Sequence, residues 1–79
     1  MSDATFERIK GVLSDRMAFD VTSLKPDSDF TDLDIQLFDA LELAIALEEE
    51  MNVDIPDTEI THWRNIADVS KTLEGLKHG

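Results

Sequence analysis

The sequence has no cysteine, which excludes disulfides, thiolate nucleophiles and cysteine-ligated zinc together. That absence suits a reducing compartment, and a cytoplasmic location is expected. Long apolar runs are missing too. The longest, Leu43 to Leu47, falls far short of the roughly 20 residues of a membrane-spanning helix. The N-terminus is polar and no targeting segment is visible, so a soluble protein with no membrane span is expected. Histidine is scarce: His62 lies beside a helix start and His78 near the C-terminus. Catalysis needs a nucleophile or an acid-base pair in a sheltered site. Neither histidine has such a setting, the carboxylates are solvated on a helix face, and the single Trp63 reads as a core plug. No enzyme and no catalytic residue is expected.

The most informative gap is cationic. Residues 26 to 63 hold twelve Asp or Glu and no Lys or Arg, within a chain of net charge −11. Such a charge repels nucleic acid phosphates and anionic membrane surfaces, and its natural complement is a basic protein surface. Both ends of the chain mix the two signs, so the acid is segregated, as a docking face would require and mere solubility would not. At 79 residues the chain makes one small domain, 1–79, expected to be a monomer when free.

The acid surrounds the longest stretch of helical period, residues 32 to 51, which has no Gly, Pro or Lys. From Leu37 onward it is mostly Leu, Ala, Glu and Met, and Asp32 or Asp34 is placed to cap it, so a helix is expected over 36–51. At about 100° per residue, Ala40, Leu43, Ala44, Leu47 and Met51 share one face. They are the expected core, together with Phe6, Leu13 and Val69. A second apolar strip, Leu37, Leu41 and Ile45 with Phe38 beside it, carries Glu48 in its middle and Glu42 and Glu49 at its edge. An unpaired glutamate is expensive to bury, and no Lys or Arg lies between Lys25 and Arg64 to pair it. The strip is therefore placed at the surface, where apolar patches usually contact something. The same period also allows a deeper helix with Glu48 snorkelling at the edge of a broad core face.

Before this helix, Phe6, Ile9, Val12, Leu13 and Met17 predict an amphipathic helix over 3–18 that tolerates Gly11. Residues 19 to 35 have no steady period and read as a long loop pinned by Val21, Leu24, Phe30 and Leu33. The Asp27 and Asp29 spacing is that of a calcium loop, but Asp32 stands where glycine is needed and Phe38 where a bidentate Glu is needed. An EF-hand is rejected and no metal site is expected. After Met51, Asn52 ends the central helix, and Val53 to Asp57 form an extended link with Val53 and Ile55 inward. Pro56 then starts a brief third helix over about 57–61, and Asn65 caps a fourth carrying Ile66, Val69, Leu73 and Leu76.

Asp32-Leu33, Asp39, Glu42-Leu43, Ala46 to Glu50 and Ile55-Pro56-Asp57 together resemble the acyl carrier proteins, without gaps from Asp32 to Ile66. The resemblance implies an all-α fold: a small four-helix bundle with a long loop between helices 1 and 2 and a short third helix. It also implies a 4′-phosphopantetheine arm on the serine of an Asp-Ser-Leu motif opening helix 2. That motif falls here on Gln36-Leu37-Phe38, and leucine has no oxygen to form a phosphodiester. Ser28 and Ser70, the flanking serines, stand away from the start of the central helix. No cofactor is therefore expected. The family's docking positions carry over better, with Asp39, Glu42, Ile45, Glu48 and Glu49 matching residues presented to basic enzyme patches. Joined with the strip, the expected partner-binding set is Leu37, Phe38, Asp39, Leu41, Glu42, Ile45, Glu48 and Glu49. The expected function is a non-carrying, protein-binding regulatory partner of enzymes in fatty-acid, lipid or polyketide-type metabolism; the alternatives are a working carrier that holds acyl groups by another route and an acidic subunit of a permanent complex.

Overall fold

Apolar residues at helical spacing give four helices in a computed structural model that describes residues 3–77: α1 (Asp3–Asp15), α2 (Leu37–Met51), α3 (Asp57–Ile60) and α4 (Ile66–Lys77). His78 lies outside the described residues. α1 packs against both α2 and α4, and α3 packs against α2. One core cluster joins Ile9, Val12 and Leu13 of α1 with Leu43, Ala44 and Leu47 of α2 and Ile66, Val69 and Leu73 of α4. Leu13, Leu43, Leu47 and Val69 are buried as the period predicts, whereas Phe6 and Met51 are only partly buried at the cluster's edge. Among the described residues no helix is long and apolar enough to cross a membrane.

The first helix stops earlier than its period predicts. It ends at Asp15 because Ala18 takes a left-handed backbone (φ 58°), which turns the chain and lets the Phe19 N–H donate to the Leu13 carbonyl at 2.9 Å. Alanine favours the right-handed helix, so no local residue signals this turn. The loop then tightens at Asp20, whose Oδ1 accepts from the Thr22 N–H (3.0 Å) and hydroxyl (2.7 Å). These two bonds, the backbone one first, hold the Asp20 carboxyl below its ordinary value.

Farther on, the loop is fastened by backbone as well as by apolar side chains. Phe30 N–H donates to the Arg64 carbonyl and Ile66 N–H to the Ser28 carbonyl, both at 2.9 Å, an antiparallel bridge that seats the loop on the start of α4. Phe30 and Ile35 are buried; Val21, Leu24 and Leu33 are half-buried. Asn52 ends α2 in a left-handed conformation (φ 57°), with its N–H on the Glu48 carbonyl, and Ile55 of the link is buried. Asn65 caps α4 as expected, its Oδ1 accepting the Asp68 N–H at 2.9 Å. Trp63 is a core plug with a polar tie: its Nε1–H donates to the Thr72 hydroxyl (2.9 Å), which donates to Glu59 (3.0 Å). This chain links α3 to α4 and satisfies a buried indole donor.

Candidate docking face

α2 is long enough to show two sides. Its inner side is Ala40, Leu43, Ala44 and Leu47, with Ala46 also buried. Its outer side keeps four large apolar side chains in water: Leu37 is 59% exposed, Phe38 72%, Leu41 37% and Ile45 56%. No other described large hydrophobic residue is exposed. Leu37, Leu41 and Ile45, at i, i+4 and i+8 on one helix, form a contiguous strip with Phe38 beside it.

The helix opens at Gln36, not under Asp32 or Asp34. Asp34 is turned away in a left-handed backbone (φ 57°), and the carboxylate of Asp39 reaches back to accept the Gln36 N–H at 3.0 Å. Negative charge in the first turn suits the helix dipole. The strip's acids are therefore not equivalent. Asp39 is half-buried and engaged at this cap. Glu48 is half-buried too, and its Oε2 accepts the Ile55 N–H at 2.9 Å, tying the link to the helix. Glu49 is exposed but paired with Arg16 at 2.5 Å. Glu42 alone of the four is exposed with no hydrogen bond or ion pair to another described residue. The cation on Glu49 comes from α1's end of the chain, where counting charges within residues 26–63 does not reach.

Beside the head of α2 lies an open cavity of about 360 Å³, lined by Phe30, Ile35, Leu37, Ala40, Ile60 and Trp63, with Gln36, Thr31, Thr61 and Arg64 at the same site. Ile35, whose burial the irregular loop pattern did not signal, forms part of its wall. The first residue of α2 is Leu37, and no Ser or Thr occurs between Thr31 and Thr58. Ser28 accepts the Lys25 N–H in the loop, and Ser70 is 1% exposed inside α4. Among the described residues no group of three or more acidic or histidine side chains is arranged to hold a metal ion.

A family model described as a phosphopantetheine attachment site matches residues 7–73. An acyl carrier protein of Helicobacter hepaticus is 36% identical over 74 residues, 92% of this chain and 97% of that protein. One of a Picosynechococcus species is 41% identical over 58 residues, 72% of each chain. The crystal structure of an acyl carrier protein from Thermotoga maritima superposes with a TM-score of 0.89 over 95% of this chain and 88% of that one, at 20% identity, a likeness of fold.

Proposed function

The chain belongs to the acyl carrier protein family, and on that premise we propose that it is a non-carrying member. It acts as a protein-binding, regulatory partner of enzymes in fatty-acid, lipid or polyketide-type metabolism, and it is not itself an enzyme. What supports this reading is the head of α2, whose first residue is the apolar Leu37, between Gln36 and Phe38, where the resemblance to the family implies a serine. Attachment of the arm needs a hydroxyl nucleophile there, and the residues do not fit the group. Neither flanking serine replaces it: Ser28 belongs to the loop and Ser70 is enclosed in the core. The docking strip of Leu37, Phe38, Leu41 and Ile45 with Glu42 is kept, so partner recognition is retained while the cargo site is lost. The partner is a basic surface with an apolar centre.

The test is direct. Incubated with coenzyme A and a broad-specificity phosphopantetheinyl transferase, the protein is expected to keep its intact mass; a gain of one phosphopantetheine overturns the reading. A second reading, an acyl carrier that holds its chain without a covalent bond, is favoured by the cavity under Leu37, whose volume is in the range of small-molecule sites. Native mass spectrometry after incubation with a medium-chain fatty acid separates the two. A one-to-one complex supports the second reading, and its absence leaves the first.

A further inference from the structure

We infer that Arg16 is a specificity residue of the docking face: it occupies the tail anion of α2 and so favours partners that place a single cation opposite Glu42. The inference rests on the docking reading above and deepens it. Of the acids in the expected set, Asp39 is engaged at the helix start and Glu48 at the link, which leaves Glu42 and Glu49 to meet a partner's cations. These two stand seven residues apart on one helix, about 10 Å along its axis. They are not equally available. The Arg16 guanidinium reaches across from the end of α1, pairs with Glu49 at 2.5 Å and lies 3.5 Å from the Ala46 carbonyl oxygen.

Arg16 also forms one wall of a groove of about 170 Å³ whose other walls are Met17, Glu42, Ile45 and Ala46. A partner cation that seeks Glu49 must therefore displace a resident guanidinium from beside the strip, whereas one that seeks Glu42 breaks no hydrogen bond or ion pair to another described residue. Both members of the Arg16–Glu49 pair are substantially exposed, so the pair is weak in stability terms. It is well suited to discrimination, because it costs the fold little and penalises only the ligand that needs the second anion. Arg16 acts as an internal competitor.

Two synthetic amphipathic helical peptides with the same leucine face supply the probe. One carries a single arginine, the other two arginines seven residues apart. Affinities are read by fluorescence anisotropy at about 0.15 M salt, where effects beyond roughly 8 Å are screened. The readout is the ratio of the two affinities, which cancels any general gain in negative charge. Arg16→Gln is expected to raise the ratio in favour of the two-arginine peptide by about two- to fivefold, the range of one exposed ion pair. Adding Glu49→Gln to Arg16→Gln is expected to return the ratio to its wild-type value. Glu49→Gln alone, which removes the anion and leaves the arginine, is expected to give the two-arginine peptide no gain. A shift of both peptides by the same factor in Arg16→Gln overturns the inference and leaves the docking reading standing. Failure of either peptide to bind any form overturns the docking reading and this inference with it.

Discussion

Both apolar faces of α2 carry two leucines, yet Leu43 and Leu47 are sealed in the core while Leu37 and Leu41 stand in water. Residue type does not separate these four. What separates them is what the rest of the chain brings alongside: α1 and α4 share the inner face's core cluster, which Ile55 of the link and Ile60 of α3 also join. Among the described residues none covers the outer face, where Leu37, Phe38, Leu41 and Ile45 stay exposed, and Glu42 and Glu49 border it. A small domain has little stability margin, so leaving four large side chains exposed forgoes burial that a purely structural helix would use.

The sharpest way to break this comparison is to shorten one leucine or isoleucine on each face. Leu47→Ala removes a fully buried side chain and is expected to cost about 2–5 kcal/mol, a large part of the stability of a domain this size. Ile45→Ala, on the outer face, is expected to stay within about 0.5 kcal/mol. Urea unfolding of both variants checks it, and equal losses would mean that the two faces are not distinct.

The outer face should reveal itself in binding instead. Leu37→Ser is expected to leave the urea midpoint unchanged. On the docking reading it exchanges an apolar anchor for a hydroxyl, and burying a leucine side chain is worth about 1.5–3 kcal/mol. Dissociation from a leucine-faced, arginine-bearing helical peptide is then expected to be about tenfold faster with little change in association, since short-range contacts act after encounter. Stopped-flow traces give both rates. A loss confined to association would place Leu37 outside the contact.

Glu48 lies at the seam between the faces and tests where one ends. Its carboxylate accepts the Ile55 N–H, so Glu48→Ala strands a donor beside a buried residue and is expected to cost about 1 kcal/mol in a urea titration. Glu48→Gln, which keeps an acceptor oxygen, is expected to recover most of it. If Glu48→Ala is silent in stability yet slows association, the residue belongs wholly to the outer face.

Helical period sorts the residues of α2 into two strips, because spacing fixes which residues share a face whatever they pack against. The acids around the second strip then place Leu37 and Ile45 outside, with Leu43 and Leu47 inside, and Asn52 and Asn65 announce their turns by their own chemistry. Features made by residues far apart in the chain are illegible to such a reading. Arg16 meets Glu49 across 33 positions, and no local count of cations finds it. Ile35 is buried within a loop that has no period, and Ala18 turns left-handed although alanine favours helix. The duties of Asp39 and Glu48 are hidden for a related reason: a carboxylate in a sequence does not disclose which backbone N–H it will reach.

Glu42 gives the smallest expected effect and the cleanest reading of the outer face's charge. It is exposed and makes no hydrogen bond or ion pair to another described residue, so Glu42→Gln is expected to leave stability untouched. A single exposed ion pair contributes about 0.2–1 kcal/mol, which sets the change in affinity for the same peptide at no more than about fivefold. Because the charge acts at a distance, the loss should fall on association, which steering accelerates, while the apolar contacts that hold the complex keep dissociation near its wild-type rate. Raising the salt should narrow the gap between Glu42→Gln and wild type until the two associate alike. An association rate that is unchanged at low salt would mean that the partner's cation reads another acid, and Glu42 would then have no part in the docking face.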